Sequence, residues 1–176
     1  MRLILTLATA LLVLSPAGVV MADPLGAPEP PTAVEITVYA TTRQMDAAWT
    51  VSQHTGTDYS DVLAAWSDDR QVGLDALFAA LDNLGANYRY ASRGPSFDCS
   101  GLTGYAWATQ GVEIGNNSSS QHNATSSSEV TAGALVFRPG HIAMSLGIGD
   151  WIIHAANRST GVVISRMNGS MTYPNV

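Results

Sequence analysis

The chain has no lysine; its eight basic residues are all arginine, against fourteen acidic ones, and the formal charge is −6. It lacks the basic stripe needed to displace counterions from a nucleic-acid backbone, so nucleic acid is excluded as a partner. Charged residues are only 12% of the 176 positions and hydrophobic ones 46%. That balance excludes a disordered chain and supplies a core for one domain. There is one cysteine. An internal disulfide and a multi-cysteine zinc site are therefore ruled out, and nothing calls for a metal or another cofactor. Long apolar runs are also missing, except at the start. Met1-Arg2 is a short positive head, Leu3 to Leu14 an apolar run, Ser15-Pro16 a break, and Val20-Met21-Ala22 a cleavage site of small residues. About a dozen apolar residues suit a signal-peptide core and fall short of a bilayer span. Residues 1–22 read as a signal peptide. The mature chain would be exported to the cell envelope as a monomer, without stable membrane insertion.

Residues 23–34, rich in Pro, Gly and Ala, read as a flexible leader. Residues 35–70 form an N-terminal extension, mainly helical. In it Ile36, Val38 and Ala40 alternate with polar residues as a weak strand, and Thr42 to Asp69 makes one or two short helices broken at Thr55-Gly56-Thr57. Residues 71–176 form the principal domain. Val72, Leu74, Leu77, Phe78, Leu81 and Leu84 recur at mostly three- and four-residue steps, the period of an amphipathic helix, which Gly85 ends. Ser100 to Gln110 predicts a second helix, stopped at Gly111. The Asn- and Ser-rich stretch 115–128 reads as a surface loop. Then the period changes to two: Ala134–Arg138, His141–Gly147, Trp151–Ala155 and Val162–Arg166 are four short strands. Helices followed by a meander of strands give an α+β fold, helices packed on a small antiparallel sheet.

The lone thiol of an exported protein is an intermolecular disulfide, an inert buried group, or a reactive one. Cys99 falls at the first turn of the second helix, in Phe97-Asp98-Cys99-Ser100-Gly101-Leu102. The positive end of a helix dipole favours a thiolate there, so a lowered pKa is expected. A nucleophilic thiol needs a base, and the base a partner that fixes its tautomer. His141 opens one strand and His154 ends the next. With a short turn between them the two strands form a hairpin, and His141 and His154 can then lie opposite each other at the same end of the sheet. A helix packed there would add Cys99 to make a Cys–His–His line.

These residues resemble the NlpC-type cysteine peptidases of bacterial cell walls, part of the wider papain-like group. The family reads Tyr-x-aromatic-Gly-Gly, then hydrophobic-Asp-Cys-Ser-Gly-Leu, a loop with a Gln, Gly-Asp-Leu, His-Val-Gly-Ile-Tyr-Leu-Gly, and a hydrophobic pair before His-Ala. Here stand Tyr88-Arg89-Tyr90, Phe97 to Leu102, Gln121, Gly133-Ala134-Leu135, His141 to Gly147 and Ile152-Ile153-His154-Ala155. The resemblance runs from about Val72 to Arg166. It implies Cys99 as nucleophile, His141 as general base and then acid, and His154 as the residue orienting His141. Tyr88 falls where the family directs a hydroxyl at the oxyanion, with the Cys99 N–H as second donor. Asp98 and Ser100 match positions that help hold the substrate's amine or backbone; Asp98 also suits a helix N-cap. The reaction implied is amide hydrolysis through a thioester. The substrate implied is the peptidoglycan stem peptide, at the bond between D-γ-glutamyl and meso-diaminopimelate (or Lys).

The chain departs from that pattern in places. Ala91-Ser92 replaces Gly-Gly, which implies a less tight loop. Ala134 replaces the Asp of Gly-Asp-Leu, and Ser145 the Tyr. The loop before His141 is cut to Arg138-Pro139-Gly140, which implies a more open cleft edge. After the fourth strand the family has one more, so the sheet is smaller here or the chain incomplete. His54 and His122 read as solvated surface, and Trp49, Trp66, Trp107 and Trp151 as core or cleft wall. Two other functions fit the same residues: a related amidase or acyltransferase, and a wall-binding module without activity.

Overall fold

The computed structural model describes residues 33–124 and 130–173, with side chains from residue 42 onward. The signal segment, and the leader up to residue 32, lie outside the described residues. The first described element is a helix, α1 (Ala33–Thr55), followed by α2 (Tyr59–Ala65). The weak strand expected at 35–41 is thus corrected to helix. Its alternation is short and runs directly into a strong helical segment. Once a helix is nucleated, each added residue gains a hydrogen bond at little further cost. The break at 55–57 is where the sequence placed it, and Asp58 caps α2 by accepting the Ser60 N–H at 2.9 Å.

The helix α3 (Gln71–Leu81) is the most enclosed, with Leu74 and Ala76 to Leu81 buried. Its small residues let neighbouring elements approach from several sides. Ala48 and Val51 of α1, Val62 of α2, and Trp66 share one cluster with Leu77 and Phe78. Trp66 is only 1% exposed, and its indole N–H donates to the Leu146 carbonyl at 2.7 Å. That bond satisfies the one polar atom the ring would otherwise bury unpaired. Trp49 departs from the expectation of core or wall: it is 58% exposed, edge-on to Tyr59.

After α4 (Cys99–Ala108) comes α5 (Ser118–Ala124), where a loop was expected. Composition misled here because α5 is held by one buried glutamine and not by an apolar face. Four strands follow: β1 (Ala132–Arg138), β2 (His141–Leu146), β3 (Trp151–Asn157) and β4 (Gly161–Arg166). They form one antiparallel sheet in the order β1-β2-β3-β4. The C-terminal segment adds a bridge along β1, with Phe137 and Thr172 exchanging hydrogen bonds of 2.7 and 2.8 Å.

Both sheet faces are covered. Met144, Leu146, Ile153, Ala155 and Val162 pack on the helices. On the other face, Met171 and Tyr173 cover Ala134, Val136, Ala143 and Ile152. Two covered faces explain why β2 is buried at every position, and why its sequence carries few polar residues. Among the described residues no helix is long and apolar enough to cross a membrane.

Candidate active site

The N-terminus of α4 is built around Asp98. Its Oδ1 accepts the Gly101 N–H at 2.7 Å, which makes it the N-cap, and the Ser100 hydroxyl at 3.1 Å. Its Oδ2 accepts the Ala91 N–H at 2.6 Å. One carboxylate therefore starts the helix and ties down the loop before it. Ala91 stands at φ +54°, a left-handed conformation that an L-residue other than glycine adopts at a cost. Despite the loss of Gly-Gly, the loop keeps its turn, and the Asp98 bond holds it.

Ser100 is buried, and its carbonyl accepts Gln121 Nε2 at 2.8 Å. Gln121 Oε1 in turn accepts the Thr103 hydroxyl at 2.6 Å. This glutamine hangs α5 on α4. The ring of the next residue, His122, stacks on Phe137 at 4.1 Å and 13°. His122 is thus a half-buried part of the wall, not the solvated side chain expected. Phe137 and Cys99 both pack against the cluster of Ile114, Leu135 and Ile142.

Cys99 is the first residue of α4 and half-buried. The N–H groups of Ile142, Ser100 and Cys99 itself act on its sulfur and favour a thiolate. They do not win. Burial, aided by the Asp98 carboxylate, pushes the thiol above its ordinary pKa. The lowered value expected from the helix dipole is corrected: a buried sulfur beside a carboxylate loses more from desolvation than the helix end returns. Burial likewise raises the Tyr88 phenol, with smaller contributions from Cys99 and Asp98. Tyr88 is therefore within electrostatic reach of both, placed by a bridge to Phe97.

The two histidines meet on the sheet. His141 Nε2 and His154 Nδ1 are 2.8 Å apart and share a hydrogen bond. They lie on a diagonal, not directly opposite. Met144 pairs with Ile153 and Ser145 with Ile152; continuing that register puts His154 beside Ala143, two residues from His141 on the same face. Imidazoles span such a diagonal. A second diagonal leads on to β4, where Ser165 Oγ is 3.1 Å from His154 Nε2. Ser165 was not singled out from the sequence. Its only signal is an alternation in β4 whose register with β3 is visible in the fold alone. Among the described residues no hydrogen bond joins Cys99 Sγ to His141. The link is the Ile142 amide, one residue along β2.

Burial pushes both imidazoles down to about 4, with the Arg138 charge adding to each and His154 adding to His141. The folded protein therefore holds both rings neutral, whereas an unfolded histidine ionises near about 6.5. Between these values the unfolded state binds more protons, so stability falls as pH drops from about 6.5 toward about 4. Above that window these groups contribute no slope. Urea midpoints at pH 7.5 and 4.5 test this: the midpoint should be lower at 4.5, and replacing both histidines with Gln should flatten the difference.

A capped helix carrying a thiol, packed on an antiparallel sheet whose two central strands carry a bonded histidine pair, defines an α+β domain with a thiol–imidazole site. The NlpC/P60 family model matches residues 85–176, more than half of the chain, and the chain belongs to that family. A "Probable endopeptidase p60" of Listeria grayi is 36% identical over 114 residues, covering 59% of this chain and 22% of that protein. A "Probable endopeptidase" of Corynebacterium glutamicum is 34% identical over 122 residues, covering 62% of this chain and 57% of its own length. The chain thus spans at most little more than half of these relatives. Among solved structures, the peptidoglycan hydrolase RipB of Mycobacterium tuberculosis matches at TM-score 0.51 and 26% identity, covering 85% of this chain and 90% of that one. A P60 domain from an M. avium subspecies paratuberculosis antigen matches at TM-score 0.52 and 28% identity, over 59% and 92%.

Proposed function

We propose that this is an exported cysteine peptidase that hydrolyses the amide between D-γ-glutamyl and meso-diaminopimelate in the peptidoglycan stem peptide. The observation that carries the reading is the 2.8 Å bond between His141 and His154, one residue from the amide that faces the Cys99 sulfur. The two relatives named endopeptidases and the fold of a peptidoglycan hydrolase support it.

The hydrogen-bond chain sets the proton inventory. Ser165 Oγ donates to the Arg166 carbonyl at 3.3 Å and so can accept His154 Nε2–H. His154 Nδ1 is then a lone pair, and it accepts His141 Nε2–H. That leaves a lone pair on His141 Nδ1, the form a general base needs. In the proposed reaction the Cys99 thiol gives its proton to His141 Nδ1 as Sγ attacks the carbonyl carbon. The oxyanion is met by the Cys99 N–H and the Tyr88 hydroxyl. The intermediate collapses to a thioester as His141 protonates the departing amine. His141 then takes a proton from water, whose oxygen displaces the sulfur, and returns that proton to the departing Cys99 thiolate. Asp98 and Ser100, besides holding the helix and its loop, would border the acyl half of the substrate.

Ser165→Ala removes the group that selects this tautomer. It should lower kcat about three- to tenfold with KM unchanged, since general-base steps are worth about 10²–10⁴ and only part rests on the tautomer. Ser165→Thr keeps the hydroxyl and should restore kcat. An effect on KM alone would show Ser165 to be structural only.

The decisive experiment is digestion of purified peptidoglycan by the mature chain, with Cys99→Ala beside it and fragment masses read. Fragments ending in D-γ-glutamate, released only by the wild type, are the expected result. Masses carrying an added amine would point to acyl transfer. No release by a well-folded chain would overturn the peptidase reading.

A further inference from the structure

The turn Pro139-Gly140 joins β1 to β2 in two residues, with Gly140 at φ +78° as the third position of a type II turn requires. This tight turn leaves Arg138 paired directly with His141. Side chains of directly opposed residues share a face, their Cβ atoms about 4.5–5.5 Å apart. The shortened loop therefore sets a guanidinium beside the histidine pair. Its positive charge acts on both imidazoles.

Among the described residues that guanidinium has no ion-pair partner. The ion pairs among the described residues are Arg43–Asp82 and Arg166–Asp150, and Arg138 is in neither. Its Nε is buried and makes no hydrogen bond. A buried donor left unpaired costs stability, and more when it is charged. Asp150, a carboxylate on the β2–β3 turn, is already taken by Arg166.

The geometry points to Arg138 as the residue that binds a carboxylate on the amine half of the substrate. The inference rests on the peptidase reading above, in which His141 protonates the departing amine. A charge beside the histidines then lies on the amine side of the scissile bond. Diaminopimelate carries carboxylates on that side. Lysine has no carboxylate at the far end of its side chain. A planar carboxylate fits the guanidinium fork through two parallel N–H···O bonds. Such a pair would give the guanidinium a counter-ion and cancel its charge beside His141 as the substrate seats.

Two measurements on the full mature chain test this. The first needs no substrate: the rates at which iodoacetate and iodoacetamide alkylate Cys99. The reagents differ by one carboxylate. Arg138→Gln should lower the iodoacetate-to-iodoacetamide ratio about threefold or more, and Arg138→Lys should keep most of it. The second compares L-Ala-γ-D-Glu-meso-diaminopimelate with the same peptide carrying carboxamides on its diaminopimelate. The wild type should favour the free acid about tenfold in kcat/KM, the scale of a charge-assisted hydrogen bond. In Arg138→Gln the preference should fall toward one. A preference or an alkylation ratio that survives Arg138→Gln unchanged would overturn the proposal. If neither peptide is cleaved by the wild type, the peptidase reading fails, and the alkylation ratio alone decides whether Arg138 attracts carboxylates.

Discussion

Cys99→Ala is expected to abolish amide cleavage, with at least about a 10⁴-fold loss, the scale seen when the nucleophile of a coupled catalytic set is removed. The chain holds no second thiol that could substitute. The fold should survive, because Cys99 is only half-buried, at the margin of the Ile114, Leu135 and Ile142 cluster. Truncating it removes part of a small side chain, at about 1 kcal/mol, near the centre of point-mutant effects. Urea unfolding and a peptidoglycan digest on the same preparation check both halves. Residual activity above one part in a hundred in a protein free of wild-type contamination would place the nucleophile elsewhere. Cys99→Ser should be nearly as inactive. The Cys99 thiol already ionises less readily than usual, and a hydroxyl in that place is a far weaker acid.

Gly101→Ala should do the most damage to the fold around the site. A Cβ built there would stand 1.9 Å from the Ser92 carbonyl oxygen and 2.9 Å from its carbon. Both are backbone atoms, so no side-chain rotation relieves the overlap. The Ser92 carbonyl also accepts the Asp98 N–H at 3.1 Å. Pushing it away strains that bond, the Ala91–Asp98 bond and the seat of Tyr88 together. Alanine would gain about 1 kcal/mol in helix propensity. Overpacking typically costs about 1–3 kcal/mol, and a weakened N-cap about 1 more. The net expectation is a loss of about 2 kcal/mol in urea unfolding and at least a hundredfold in activity. A variant as stable as the wild type would show that the loop yields freely.

The parts of the site that were legible in the sequence are those set by neighbours along the chain. Asp98, Cys99 and Ser100 are consecutive, and a cap, a helix start and a buried hydroxyl follow from local geometry. The histidine pair was readable because a short hairpin fixes which residues face each other, although the register shifted the pair onto a diagonal. What escaped depends on distant partners. Ser165 matters only through the β3–β4 register. α5 looks like a loop until Gln121 is seen to bond Ser100, Thr103 and Gly115. His122 looks solvated until Phe137 is placed under it. The acidity of Cys99 was misjudged for the same reason: the helix end is local, but burial comes from β1, β2 and Ile114.

The order of the sheet bears on how the molecule comes to be active. Each strand of the meander pairs with the next across a short turn, so contacts in this half are close in sequence and quick to form. His141 and His154 belong to that half. Cys99 arrives from upstream of β1, and its helix reaches the sheet only by closing the long intervening segment, which costs more chain entropy. Chain topology therefore predicts that the His141–His154 pair closes early in folding and that Cys99 docks beside it last.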